Sequence, residues 1–259
     1  MFRLERILFP VDFSDRALRV VGYLETLTSH FQAELILLHV VEPPTYNTSL
    51  ADWEGARAEG FDEFLGTRLK RIRVTRIVEH GEAARKIVEC AALRRADLIA
   101  IPTQGMGIYR RLILGSTSAK VLHDADCPVW TTAHLEYAPP LDEVRHHRIC
   151  CAVDLKPHSR RVLEWADSFA RCYQADLTLL HIGPAESLQA LADLRTAIGS
   201  KAAVRLERGE PAKTVARVAA ESSADLLVIG RGAEPGILGR LEADAYSIIR
   251  QSPCPVVSV

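Results

Sequence analysis

The sequence predicts an α/β fold of two tandem doubly wound units, each a five-stranded parallel sheet with helices on both faces. Residues 5–40 align without a gap on residues 147–182, with 12 identities in 36 positions. Residues 79–101 align in the same way on residues 207–229, with ten identities in 23. Two matches in the same order indicate a duplicated unit. Within each copy, short apolar runs alternate with segments of helical spacing, which favours a parallel sheet covered by helices.

A third match closes each copy and sets the domain boundaries. Cys127-Pro128-Val129 in the first copy corresponds to Cys254-Pro255-Val256 in the second. We therefore expect one domain at residues 1–138 and another at 143–259. The join, Tyr137-Ala138-Pro139-Pro140, suits a linker because proline breaks regular structure.

The five predicted strands of the first copy are short apolar runs. Such runs, without polar alternation, are typical of parallel strands buried on both faces. They are Arg6–Val11, Leu35–Val41, Val74–Val78, Asp97–Ile101 and Val129–Thr132.

The segments between these strands predict helices. Ser14 offers an N-cap to a segment whose apolar residues recur at helical spacing: Ala17, Val20, Val21, Leu24 and Leu27. Residues 43–69 predict a loop and a helix with core contacts at Trp53, Phe61, Phe64 and Leu65. Further helices are expected over Ala83–Arg94 and from Ser116 to His123. The second copy has 14 fewer residues between its second and third strands, so its helix there must be short.

Composition excludes several classes of protein. With 48% hydrophobic residues, 25% charged residues and a net charge of -1, the chain has a globular composition without the basic excess of a nucleic-acid binder. The N-terminus does not resemble a secretion signal, and no apolar run approaches the roughly 20 residues of a membrane span. We expect a cytoplasmic protein with neither a nucleic-acid partner nor a membrane span.

The cysteines and histidines do not predict a metal or catalytic site. The six cysteines lack the spacing of a disulfide framework, and we expect reduced, buried thiols. Cys150 and Cys151 are neighbours in a predicted strand, so their side chains point to opposite faces and cannot converge on a metal with His146 and His147. His39 and His181 are expected to cap strand ends. No catalytic residues are predicted.

A ligand crevice is expected beyond the carboxyl ends of the strands, where the strand order reverses. Two loops of the first copy meet there. One contains Val11 and Asp12, whose carboxylate suits a base amino group or a ribose hydroxyl, although a helix-capping aspartate is an alternative. The other runs from Pro102 to the next helix. Its glycines, capping hydroxyls and helix N-terminus suit a phosphate, although they also fit an ordinary connection: Thr103, Gly105, Gly115, Ser116 and Thr117.

These residues resemble the universal stress protein family, and the resemblance extends over both copies. It rests on Val11-Asp12, Leu37-Leu38-His39-Val40, Gly81-Glu82, Asp97-Leu98-Ile99, Gly105 with Gly115-Ser116 after nine intervening residues, and Cys127-Pro128-Val129. The resemblance implies an ATP-binding first domain, with or without Mg²⁺, in which Asp12 and the backbone of Val40 surround adenine. It also implies that the closing strands pair, as an internal pseudo-dimer or in a homo-oligomer, and it is compatible with a regulatory protein partner.

Both copies depart from the family's loop of Gly, two residues, Gly, nine residues, Gly, then Ser or Thr. Pro102 replaces the first glycine of the first copy, and proline has no N–H to donate. In the second copy Ala233 replaces the second glycine and Glu242-Ala243 replaces the final Gly-Ser. A carboxylate there repels phosphate, so we expect nucleotide binding in the first domain only.

The leading functional hypothesis is a stress-response regulator whose first domain binds ATP or a related adenine nucleotide. The alternative from another class is a non-nucleotide scaffold or small-ligand carrier with disabled sites in both domains. A third is a slow ATP hydrolase, for which the sequence shows no residue to orient water. The protein is expected not to be an enzyme.

Overall fold

The fold is built on one ten-stranded sheet in the computed structural model, which describes residues 2–42, 61, 69–102, 115–131, 146–232 and 243–259. The strands are β1 (Arg6–Pro10), β2 (Glu34–Val41), β3 (Arg73–His80), β4 (Leu98–Ile101), β5 (Val129–Thr131), β6 (Arg148–Val153), β7 (Asp176–Ile182), β8 (Ala203–Glu207), β9 (Leu226–Ile229) and β10 (Val256–Ser258). Their spatial order is β3-β2-β1-β4-β5-β10-β9-β6-β7-β8.

The strand order confirms two doubly wound halves, which are joined edge to edge in one sheet. Neighbouring strands are parallel within each half. Across the centre, Trp130 of β5 lies opposite Val257 of β10 in an antiparallel pair. Because β1 lies between β2 and β4, and β6 between β7 and β9, the order reverses beside β1 and beside β6. These are the two places where a ligand crevice is expected.

Seven helices lie in the described ranges and cover both faces of the sheet. They are α1 (Asp15–Phe31), α2 (Ala83–Arg94), α3 (Ser116–Asp124), α4 (Ser159–Tyr173), α5 (Ser187–Ala197), α6 (Pro211–Glu221) and α7 (Ala243–Gln251). Buried residues of α1, α4 and α5 share one core cluster, and those of α2, α3, α6 and α7 share the other. The helix between β7 and β8 is short, as predicted, with 11 residues.

The fourth strand of each copy begins one residue later than its sequence predicts. Asp97, expected as the first strand residue, instead accepts hydrogen bonds from the backbone amides of Glu5 at 2.7 Å and Arg6 at 2.9 Å. Asp225 does the same for His147 at 2.6 Å and Arg148 at 3.0 Å. The repeated aspartate therefore fixes the start of the neighbouring strand rather than extending its own.

Aromatic side chains join the two copies on the face of α1 and α4. Trp130 of β5 is 1% exposed, and its ring lies 5.6 Å from that of Tyr23 in α1 and 5.7 Å from that of Phe169 in α4. The Tyr23 hydroxyl lies 2.8 Å from Nε2 of His146. Burial raises the pKa of Tyr23 well above its usual range, so the hydroxyl keeps its proton. The copies therefore share one core.

The six cysteines are free thiols, as expected, but Cys127 is only partly buried and Cys172 is exposed. Cys150 and Cys151 pack into opposite core clusters, which confirms that they cannot hold one metal. Burial raises the pKa of Cys150 to about 12. Cys172 is exposed, contrary to the expectation of buried thiols, because it lies on the outer side of α4.

Part of the sequence analysis falls beyond the described residues. Trp53, Phe64, Leu65, Thr132 and the proline join lie outside them, whereas Phe61 is buried with 2% exposure, as predicted. No helix in the described ranges is long and apolar enough to cross a membrane.

Candidate functional site

The carboxyl ends of β1 and β2 lie side by side in the first copy, next to the point where the strand order reverses. The Val11 amide donates to the Leu38 carbonyl at 2.8 Å, which continues the pairing of the two strands. His39 Nδ1 lies 2.8 Å from the Val11 carbonyl and must be the donor, because a carbonyl only accepts. His181 and Val153 repeat this bond at 2.8 Å in the second copy. The histidines therefore cap strand ends, as expected, and hold Val11 beside the end of β2 that contains Val40.

Asp12 is exposed at this edge, and Ser14 is its partner. Asp12 Oδ1 accepts hydrogen bonds from the Ser14 amide at 3.0 Å and the Ser14 hydroxyl at 2.6 Å. Ser14 Oγ in turn accepts from the Ala17 amide at 3.2 Å, so Ser14 is the N-cap of α1, as predicted. Asp12 orients this cap and does not itself bind the helix amides.

Phe13 is a residue of this edge that the sequence analysis did not identify. Its φ of 57° is left-handed, and Leu155 repeats it at 62° in the second copy. Non-glycine residues adopt this conformation only where their surroundings support it. The Phe13 ring lies 4.4 Å from the His39 ring and 5.1 Å from the Phe61 ring. These contacts turn the chain at Asp12, and no residue type in the sequence signals such a turn.

α3 follows β4, the strand that flanks β1 on its other side. Gly115 is its N-cap, with φ of −61° and ψ of 152°, and within the described ranges no side chain caps the first amides. The first turn contains no acidic residue. Ser116 is exposed and Thr117 is partly buried. Uncapped amides at the positive end of a helix dipole suit an anion.

A side-chain hydrogen bond fixes α3 to β4. The Ser118 hydroxyl donates to the Pro102 carbonyl at 3.1 Å, and Ser118 is 4% exposed. Pro102 has no amide to donate, but its carbonyl thus positions the helix. The two other predicted residues of this loop, Thr103 and Gly105, lie outside the described residues.

A surface ion pair joins α3 to α2 near the same edge. Lys120 Nζ lies 3.2 Å from Glu82 Oε1, and Glu82 is also the N-cap of α2. The Arg85 amide and, after it, Lys120 lower the pKa of Glu82. Gly81 before it has φ of 137°, as has its repeat Gly209 at 134°, which explains the shared Gly-Glu pair.

The second copy has a different set of polar groups at its crevice. Asp154 accepts hydrogen bonds from the Lys156 amide at 3.0 Å and the Ser159 hydroxyl at 2.8 Å, and it lies 3.3 Å from His158 Nε2. Burial would raise the pKa of Asp154, but His158, the Lys156 amide and Ser159 outweigh it and hold that pKa well below its usual range. Unlike α3, α7 has an acid, Asp244, in its first turn.

A cavity of about 290 Å³ lies at this second crevice, lined among others by Asp154, His158, His181, Gly230 and Asp244. A Cβ at Gly230 would lie 2.8 Å from the His158 ring. The glycine is therefore required by the packing of His158, whatever else the loop binds.

Comparison with known proteins gives a consistent result over the whole chain. A model described as the universal stress protein family matches residues 3–132, 145–204 and 185–259. Universal stress protein Rv2624c of Mycobacterium tuberculosis is 28% identical over 84% of this chain and 80% of its own length. A universal stress protein of Thermus aquaticus is 31% identical over 48% of this chain and 94% of its own. The crystal structure of a universal stress protein from Archaeoglobus fulgidus covers 99% of this chain and 96% of its own, with a TM-score of 0.77 and 23% identity.

Proposed function

Since the chain belongs to the universal stress protein family, we propose that its first copy binds ATP or a related adenine nucleotide and acts as a nucleotide-dependent regulator. The phosphates would lie at the N-terminus of α3, at Gly115, Ser116 and Thr117. The base and ribose would lie toward Asp12 and the backbone of Val11 and Val40. Thr103 and Gly105 complete the proposed set from the intervening loop.

The observation that carries this proposal is the uncapped start of α3. Among the residues that the structure describes, no side chain caps its amides, and its first turn has no acid. The other two caps described on this face of the sheet are carboxylates: Glu82 accepts from the Arg85 amide, and Glu210 from the Ala212 and Lys213 amides. A carboxylate cap occupies the amides that a phosphate needs. A glycine leaves them available and lets a phosphate approach closely.

The proposal assigns no phosphate to the second copy. Asp244 and the preceding Glu242 bring negative charge to the start of α7, which opposes a polyanion. We further propose the domains as residues 1–138, with the nucleotide, and 143–259, without it.

Isothermal titration calorimetry of ATP into the full chain tests the proposal. We expect one site per chain, lost in Gly115→Glu, because the new carboxylate repels phosphate. The substitution should leave the fold intact, since φ of −61° and ψ of 152° are open to any residue. Glu242→Gln changes the aligned position of the second copy and should leave the site count unchanged. Absence of heat and of any thermal shift with ATP in the wild-type chain would contradict the proposal.

A second candidate function, small-ligand carriage, is favoured by the cavity of about 290 Å³ in the second copy. Its carboxylates, Asp154 and Asp244, favour an uncharged or cationic ligand over a phosphate. Adenosine, which has no phosphate, is a suitable probe in the same calorimeter. Heat with adenosine that survives Gly115→Glu would support carriage by the second copy, and heat lost in that variant would assign adenosine to the first.

A further inference from the structure

Arg231 extends from the second copy into the first. It lies two residues after the end of β9, between Gly230 and Gly232, and is 5% exposed. Its Nη1 donates to the carbonyl of Ala125 at 2.6 Å and to that of Leu122 at 3.3 Å, and its Nη2 donates to the carbonyl of Cys127 at 3.0 Å. One guanidinium thus binds three carbonyls at the C-terminus of α3.

These contacts matter because they lie at the C-terminus of α3. The last carbonyls of a helix have no partner within the helix, and a cation there also complements the negative end of its dipole. α3 is nine residues long, so Arg231 holds one end of the short helix whose other end begins at Gly115. A planar fork of donors is suited to bind several carbonyls at once.

In the closing turn of the second copy, the described contacts come from a residue of the same copy. Ser252 Oγ donates to the carbonyl of Cys254 at 2.7 Å and accepts from the Cys254 amide at 3.3 Å. Through the Cys-Pro-Val match, Ser252 aligns with Ala125 and Cys254 with Cys127. Ala125 has no hydroxyl, and in the first copy it is Arg231 that donates to the Cys127 carbonyl.

The asymmetry extends to the arginine itself. The residue that aligns with Arg231 in the first copy is Thr103, which has no cationic side chain to reach the second copy's closing turn. The second copy thus supplies a hydrogen-bond donor, Arg231, to the closing turn of the first copy. Its own closing turn is bound by Ser252.

We propose that Arg231 is a positioning residue for the nucleotide site of the other copy: it fixes α3, and through α3 the amides that receive the phosphates. This inference rests on the proposed function for its effect on ATP. It assigns the second copy a role in the site of the first that does not require the second copy to bind any ligand.

The test uses the full chain with Arg231→Gln, Arg231→Lys, Ala125→Ser and the double variant Arg231→Gln with Ala125→Ser. We expect Arg231→Gln to raise the Kd for ATP about tenfold, which corresponds to about 1.4 kcal/mol. Arg231→Lys should fold well and raise the Kd less, because an ammonium is a point donor and cannot span all three carbonyls. Ala125→Ser added to Arg231→Gln should restore much of the affinity, since it supplies the hydroxyl that Ser252 supplies in the second copy.

A control separates positioning from general loss of stability. Leu191→Ala in α5 removes a fully buried side chain of the second copy, far along the chain from α3. It should lower the stability without changing the Kd. An unchanged Kd in Arg231→Gln, or a Kd that rises equally in Leu191→Ala, would overturn the inference.

Hydrogen exchange of the ATP-free protein provides a readout that does not depend on nucleotide. Amides of α3 should exchange faster in Arg231→Gln and regain protection in the double variant. If the wild-type chain binds no ATP, the proposed function fails and exchange alone decides the positioning role. Unchanged protection of α3 in Arg231→Gln would then refute it.

Discussion

The N-termini of α3 and α7 occupy aligned places in the two copies and differ in nearly every residue that a phosphate would meet. The first copy has Gly115, Ser116 and Thr117 where the second copy has Glu242, Ala243 and Asp244. The surrounding strands, the aspartate after the first strand and the histidine on the second are the same in both. The sheet therefore keeps its architecture while the loop at its edge changes its chemistry.

The aspartates that follow the first strand of each copy also differ, in their hydrogen-bond partners. In the described part of the chain, Asp12 receives hydrogen bonds from Ser14 alone, whereas Asp154 has Lys156, His158 and Ser159 around it. The second carboxylate is thus committed to contacts within its own copy. The aspartate thus keeps its position in both copies, but its hydrogen-bond partners differ.

The largest expected loss of stability concerns the central core, to which the two copies contribute unequally. Trp130 in β5 and Val257 in β10 face each other and are both buried. Trp130→Ala should cost about 3–5 kcal/mol of unfolding free energy, because it leaves a large cavity among Tyr23 and Phe169. Val257→Ala should cost about 2 kcal/mol. Urea unfolding followed by circular dichroism measures both, and equal losses would show that the aromatic core is not the dominant contact.

A second prediction concerns acid stability. Because the folded pKa of Asp154 is lowered, its contribution is complete above the unfolded value of about 3.9 and is lost as the pH falls toward the folded value. The stability difference between wild type and Asp154→Asn should therefore be greatest above about pH 5 and shrink toward pH 2.

Asp12→Asn is the matched variant in the first copy. At pH 7 its unfolding free energy should differ less from that of wild type than does that of Asp154→Asn, since fewer groups surround the Asp12 carboxylate. Unfolding midpoints in urea at intervals between pH 2 and pH 7 provide the measurement. A larger effect at Asp12 than at Asp154 would reverse the comparison of the two crevices.

The smallest expected effect concerns the attachment of α3 to β4. Ser118→Ala removes the hydrogen bond to the Pro102 carbonyl and should cost about 1 kcal/mol, with a modest rise in the Kd for ATP. The aligned residue of the second copy is Ala245, which is buried. Ala245→Ser should leave the Kd unchanged. If both variants weaken ATP equally, the bond between Ser118 and Pro102 does not position the site.

The repeat made most of the fold predictable. Two aligned blocks fixed the order of strands and helices, and the resemblance to the universal stress protein family implied the pairing of β5 with β10. Strand boundaries were accurate to one or two residues because buried parallel strands are uniformly apolar. The start of β4 differs by one residue because Asp97 uses its side chain to bind amides of another strand, which periodicity does not reveal.

The site was less predictable, and for a physical reason. Gly115 and Asp12 could be recognised because glycine and carboxylate have distinctive chemistry. The contacts of Phe13, Ser118 and Arg231 depend on which carbonyl or ring lies nearby in three dimensions. Arg231 is separated by 106 positions from Ala125, and nothing in its local sequence indicates that contact.

Because both copies belong to one polypeptide, the pair of β5 and β10 should respond to dilution differently from a pair formed by two separate chains. Two separate chains joined by three-residue strands would exchange partners and come apart at low concentration. Here the partner is tethered, so its effective concentration is set by chain length and not by abundance. Arg231 therefore meets α3 in every folded molecule, and the nucleotide affinity should be the same at nanomolar as at micromolar protein.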